Sequence, residues 1–343
     1  MARSGIRAAL VAAVTMGGIV AGTGGTAAAT ALPTRVYAPY FETWTTDSLT
    51  TVSQQSQVKF FTLAFLETTS KTSCTLAWDG EKAQPVSGQR YLTEITAIRA
   101  AGGDVIPSLG GWSADQGGTE IGDSCKNVNS IFVAYRDLVT TYDVSRIDMD
   151  IEGRSLTKTD GIDRRNKAIK LLQDWATGQG RPLTISYTLP TSASGLETSG
   201  LAVLQNARAN NVRIDFVEPM VFDYYDRTTT DMGQAAINAL TGLHGQLLPL
   251  VPAGTTDAQV WAMEGATIMN GIDDYPKKTE VTTLADAQTL RDFAVGHGMS
   301  ALSMWAIQRD NGNCVGVGGA NDCSGIAQGP WAFSDILRTF ATP

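Results

Sequence analysis

Past residue 31 the apolar residues fall into eight short β-rich runs separated by longer stretches of helical period. That alternation restricts the fold more than any other property of the sequence. The runs are Arg35–Tyr40, Val58–Leu66, Asp104–Ser108, Arg146–Glu152, Pro182–Tyr187, Arg213–Phe222, Thr267–Met269 and Ser300–Ile307. Helical patterns lie near 89–101, 127–142, 161–177, 196–209, 231–245 and 283–297, the second of them irregular, and a last one at 331–340 follows the eighth run. Strands that alternate with helices pair in parallel, and eight such units close on themselves. The expected fold is α/β, a (β/α)8 TIM barrel. With 43% hydrophobic residues the chain can fill such a core, and no linker or low-complexity tract divides it, so one domain over 32–343 is expected.

Residues 1–31 read differently. Arg3 and Arg7 give a basic start, Ala8 to Ala21 an apolar stretch, and Gly24, Gly25, Ala27 and Ala29 a small-residue end. That order is the pattern of a secretory signal peptide, with cleavage near Ala29 or Ala31 and a secreted, extracellular product. Removing the two arginines takes the net charge from −8 to −10. So acidic a surface repels phosphate backbones and anionic headgroups, which argues against nucleic-acid and membrane partners. Export also changes how Cys74, Cys125, Cys314 and Cys323 read. Four cysteines allow three pairings; 74–125 and 314–323 are favoured, because each would staple a glycine-rich loop. His244 and His297 are the only histidines, so acid–base chemistry must come from carboxylates.

The run Arg146-Ile-Asp-Met-Asp-Ile-Glu152 carries the chemistry. Strand side chains alternate faces, so Asp148, Asp150 and Glu152 share one side and Ile147, Met149 and Ile151 the other. In a barrel the acids enter the lumen, and Glu152 reaches the carboxyl end, where barrel enzymes hold their catalytic groups. Carboxylates about 5 Å apart repel by about 3 kcal/mol at an effective dielectric of 20. The cluster therefore keeps protons and can supply a general acid. Two other readings of this strand stand beside it: an edge strand with its acids in water, and a site for a hard cation such as calcium or magnesium.

Asp148-x-Asp150-x-Glu152 resembles the D-x-D-x-E signature of glycoside hydrolase family 18, the chitinases. Ser108-Leu-Gly-Gly-Trp112 resembles the family's S-x-G-G motif at the end of strand three. Met220-Val-Phe-Asp-Tyr224 resembles its M-x-x-D-Y motif of strand six. Ser303-Met-Trp-Ala-Ile-Gln-Arg-Asp310 is similar to the strand-eight segment that carries the substrate-platform tryptophan. The resemblance covers about 33–341. It departs at Ser145, where the fuller signature has Asp, and at Phe222, where many members have a tyrosine whose hydroxyl holds the substrate's N-acetyl group; Tyr224 or Tyr225 would supply it instead.

The resemblance implies a retaining, substrate-assisted hydrolysis in which the sugar's own acetamido oxygen attacks the anomeric carbon. Glu152 would be acid and then base, Asp150 would orient the acetamido group, and Asp148 would share a proton with Asp150. Asp223 and Tyr224 would contact the −1 sugar and Trp305 would floor it, with Tyr40, Tyr187 and Trp112 as further substrate-binding candidates. It implies a secreted bacterial chitinase acting as a monomer on chitin or N-acetylglucosamine oligosaccharides, with no cofactor and no metal. The alternatives are an endo-β-N-acetylglucosaminidase acting on N-glycans and a non-catalytic carbohydrate-binding barrel.

Overall fold

A computed structural model describes residues 32–341; the leader expected over 1–31 lies outside the described residues. Strand one is built from two pieces, Val36–Tyr37 and Tyr40–Glu42. Strands two to eight are Phe60–Thr68, Asp104–Gly110, Arg146–Asp150, Thr184–Ser192, Phe216–Met220, Gly265–Met269 and Ala301–Trp305. All eight pair in parallel, each with its sequence neighbours. Strand one closes the circle. Its first piece pairs with strand eight, Val36 against Ala301, and its second with strand two, Tyr40 against Thr62. The change of partner falls at Ala38-Pro39, where proline has no N–H to give a ladder. Here the Ala38 N–H donates to Leu302 and the Pro39 carbonyl accepts from Thr62. The expected TIM barrel is thus the observed fold.

The helices Leu92–Ala100, Val128–Tyr142, Thr159–Gly178, Thr198–Ala209, Met232–Leu247 and Leu284–His297 cover the sheet from outside. The core lies between the two layers: Ile147, Met149, Ile185, Val217 and Ile268 from the strands meet Ile131, Leu138, Ile169, Leu204 and Leu243 from the helices. The sequence pattern missed a helix after strand one, Leu49–Ser56. It has eight residues, three of them β-branched and only two, Leu49 and Val52, apolar, so neither propensity nor length announces it. Ser48 caps it, and Leu49, Val52 and Ser56 are its buried residues.

Both expected disulfides are present, Cys74–Cys125 and Cys314–Cys323. The first ties the loop after strand two, which adds a short antiparallel strand, Leu76–Trp78, to that strand's end, to the segment before the Val128–Tyr142 helix. No helix among the described residues is long and apolar enough to cross a membrane.

Candidate active site

Register sets the site. Ser108, Asp148 and Ser186 are level with one another on strands three, four and five, and Gly110, Asp150, Thr188 and Glu218 are level one step higher on strands three to six. All point into the lumen, so the edge-strand reading of the acidic run does not hold. Asp148 is buried and saturated. Ser186 and Thr188 donate to its Oδ1 at 2.8 and 2.9 Å, and Ser108 and Tyr40 to its Oδ2 at 2.7 and 3.0 Å. Four hydroxyl donors favour the ionised form and oppose the burial that pushes its pKa up.

Asp150 sits under the opposite balance. Burial first, then the charges of Glu152, Asp148 and Asp115, hold its carboxyl well above the usual range, and its Oδ1 has no hydrogen-bond partner. Within this coupled pair the anion rests on Asp148 and the proton on Asp150. Glu152 follows the end of strand four and is partly open to the cleft. Burial raises it to about 7; the backbone N–H of Trp112 works against the rise and the charge of Asp274 adds to it. The strand thus stacks an anion, a neutral acid and a group that titrates near neutrality.

Two glycines let strand three approach this closely. Gly110 and Gly111 have φ of +108° and +83°, and a Cβ on Gly110 would lie 2.0 Å from the carbonyl oxygen of Asp150. Only glycine fits there. The chain then turns into a short helix, Trp112–Gly117. Trp112 stands 60% exposed on the rim, its ring within 3.4 Å of where a Cβ on Gly153 would be.

Above Glu218, the other side of the lumen turns apolar toward the mouth. Met220, Phe222, Met232 and Met269 form a cluster against which Tyr224 and Trp305 pack. Trp305 stacks on Phe65, with ring centroids 5.4 Å apart and planes 13° apart, and touches Tyr40 and Trp44 at 5.5 and 6.1 Å. Trp44, 45% exposed, continues that surface outward. Asp223 has φ +52° and accepts the N–H of Asp274, while its own N–H goes to Asp273. Burial and the neighbouring Asp273, Asp274 and Glu280 raise Asp223 to about 8. The Tyr224 hydroxyl is buried without a partner; Tyr225 is exposed and edges against Tyr275. Arg309 donates to the carbonyls of Asn270 and Ile272, and Asp310 accepts from the N–H groups of Phe333 and Ser334. Each braces the strand-eight loop through backbone groups.

Asp148, Asp150, Glu152, Asp223, Tyr224, Trp305 and Trp112 are therefore brought to one end of the barrel. Tyr187 is not. It is level with outward-facing Met149, and its hydroxyl donates to Asn166 in the helix layer at 2.9 Å. The sequence pattern ended strand five at Tyr187 and so set it at the mouth. The strand runs on to Ser192, and parity turns Ser186 and Thr188 inward instead. Tyr40 is 2% exposed, with its hydroxyl donating to Asp148 and lying 3.0 Å from the Thr188 hydroxyl; it props Asp148 from below rather than lining the cleft. The sequence reading missed Ser186, Thr188, Asp115 and the Trp44–Phe65 extension. The period-two spacing of Thr184, Ser186 and Thr188 was the available signal for the first two. Among the described residues no set of His, Cys, Asp and Glu is arranged to hold a metal ion.

A parallel eight-stranded barrel with stacked carboxyls at the end of strand four defines a class, and the comparisons agree with it. Residues 36–313 match the model of glycosyl hydrolases family 18, and the chain belongs to that family. It is 33% identical over 326 residues to a probable bifunctional chitinase/lysozyme of Escherichia coli strain K12, across 90% of this chain and 35% of that protein. It is 34% identical over 291 residues to endochitinase 11 of Metarhizium anisopliae, across 82% of this chain and 53% of that one. The chain thus spans about a third and about half the length of these curated relatives. Catalytic-site mutants of active domain 2 of a thermostable chitinase from Pyrococcus furiosus, solved with chito-oligosaccharides, share the fold with a TM-score of 0.80 and 27% identity, covering 91% of this chain and 96% of that one.

Proposed function

We propose that the protein is a secreted chitinase that hydrolyses β-1,4 bonds between N-acetylglucosamine units by a retaining, substrate-assisted route. The observation that carries this reading is the division of charge along strand four: a saturated anion at Asp148, a proton-holding Asp150 with an unpartnered oxygen, and Glu152 near 7 at the cleft. Below that pH Glu152 is neutral and donates its proton to the glycosidic oxygen. As positive charge builds on the ring formed by the acetamido oxygen, Asp150 passes its proton to Asp148 and faces that charge as an anion. The hydroxyls around Asp148 rotate to accommodate the exchange, since each is both donor and acceptor. Glu152, now a carboxylate, takes a proton from the incoming water.

Trp305 supplies the apolar floor of the −1 sugar, and Asp223 lies at its edge. Tyr224 rather than Tyr225 provides the hydroxyl that Phe222 lacks, because its oxygen is buried and unpartnered. Trp112 and Trp44 offer rim faces to neighbouring sugars. Residues 1–31 are a cleaved leader and 32–343 the catalytic barrel, a reading that two disulfides support.

The test is hydrolysis of N-acetylglucosamine tetramer and hexamer by the wild type and Glu152→Gln, with a high-mannose glycopeptide as second substrate. Oligomer cleavage that disappears in the variant is expected. Cleavage of the glycopeptide alone would make the protein an N-glycan endoglycosidase, and binding without cleavage would make it a lectin.

A further inference from the structure

Asp115 lies outside every motif discussed so far. It sits one turn into the Trp112–Gly117 helix and is fully buried. Its Oδ2 accepts the backbone N–H of Glu152. That N–H lies just past the end of strand four. The previous residue, Ile151, still donates to Thr188 on strand five at 3.0 Å, whereas Glu152 has left the ladder, and a buried donor there needs another acceptor. Asp115 supplies it.

The same loop holds this turn at two more points. Gly111 N–H donates to the Asp150 carbonyl at 3.1 Å, and the Trp112 N–H favours the ionised form of the Glu152 carboxyl. Glu152 is thereby held at its backbone by Asp115 and faced at its side chain by the Trp112 N–H, both from one short helix that the two glycines fold onto strand four. The second Asp115 oxygen is buried without a partner. A carboxyl buried so incompletely satisfied costs stability, and Asp115 spends its Oδ2 on the backbone of the residue read here as the acid.

We infer that Asp115 is a positioning residue that fixes the Glu152 carboxyl against the cleft. The inference rests on Glu152 being the acid. Its chemical content is an acceptor, not a charge: any side chain of this length with an oxygen at Oδ2 does the work.

The experiment uses the full chain and N-acetylglucosamine pentamer, measuring kcat, KM, the pH profile and the melting temperature for wild type, Asp115→Ala, Asp115→Asn and Glu152→Gln. A misplacement of about 1 Å costs about 100-fold in rate, so Asp115→Ala should lose about that in kcat with KM within about twofold. The limb of its profile near pH 7 should move to higher pH, because the carboxyl loses the Trp112 N–H that favours its ionised form. Asp115→Asn keeps an acceptor oxygen and should recover at least about tenfold over Asp115→Ala. A purely structural residue would lower the melting temperature and leave kcat and the profile in place; kcat within about threefold of wild type in Asp115→Ala overturns the inference. So does Asp115→Asn as inactive as Asp115→Ala, since the acceptor would then not be what matters. If Asp115→Ala does not fold, Asp115→Ser takes its place, its shorter side chain leaving the N–H to water, with the same loss expected. Full activity in Glu152→Gln is a different result: it removes the reading of Glu152 as the acid, whatever the Asp115 variants do.

Discussion

The two walls of the lumen are built from opposite chemistry. On strands three to five the inward positions are Ser108, Asp148, Asp150, Ser186 and Thr188, small hydroxyls arranged around carboxyls. On strands six to eight the deeper inward positions, Glu218, Thr267 and Ser303, are polar as well, but toward the mouth they are Met220, Met269 and Trp305, backed by Phe222 and Met232. One wall stores protons and the other offers a dry aromatic face. A sugar ring has both needs, hydroxyl and acetamido groups around its edge and an apolar C–H face. Tyr40 joins the walls: its hydroxyl is on Asp148 and its ring is 5.5 Å from Trp305. The comparison teaches that a proton-transfer site needs exact hydrogen-bond counting, whereas a stacking site needs only area and shape.

This division can be broken by mutation. The largest effect belongs to the polar wall at its end: Glu152→Gln should lower kcat on pentamer by about 10³-fold, in line with the loss of a general acid, while oligomer binding by calorimetry stays within about threefold. Trp305→Ala should act the other way round. Losing a stacked aromatic face worth about 2 to 3 kcal/mol reduces kcat/KM by about 50-fold, and the pH profile should not move, since Trp305 packs on the rings of Tyr40, Trp44 and Phe65 and on the methionine cluster. A shifted profile in that variant would end the separation of roles.

Tyr40→Phe probes the joint. The ring stays, so stacking on Trp305 stays, but Asp148 loses one of four donors. Removing a hydrogen bond to the ionised form raises the pKa of Asp148. The acid limb of the profile should move to higher pH and kcat should fall about tenfold, with KM unchanged. The smallest effect is none: dialysis against EDTA should leave the rate as it was, because the polar wall is read as bare carboxyls among hydroxyls. A loss that calcium or magnesium restores would put a cation among the acids and rewrite that wall.

The barrel and the acid strand were legible in the sequence because both rest on periodicity. Eight apolar runs count the strands, and Asp148, Asp150 and Glu152 two apart fix a shared face whatever surrounds them. What escaped depends on where a strand stops. Ending strand five at Tyr187 instead of Ser192 put a buried, outward tyrosine at the mouth and hid Ser186 and Thr188, whose hydroxyls complete the shell of Asp148. Asp115 escaped for another reason. Its partner is a backbone N–H 37 positions away in sequence, and a side-chain-to-backbone bond leaves no pattern of residue types. Trp44 and Phe65 come together only because strand one and strand two are neighbours in the closed barrel.

The pH dependence of pentamer hydrolysis, measured from about pH 4 to 9 on wild type and Glu152→Gln together, tests the central claim most directly. Glu152 must carry its proton to act as the acid, and its pKa is about 7, so wild-type kcat should be high below that value and fall as pH rises through it. The variant should be at least about 10³-fold slower and show no limb near 7. A wild-type profile that rises through pH 7, or a variant within about tenfold of wild type, would contradict the account.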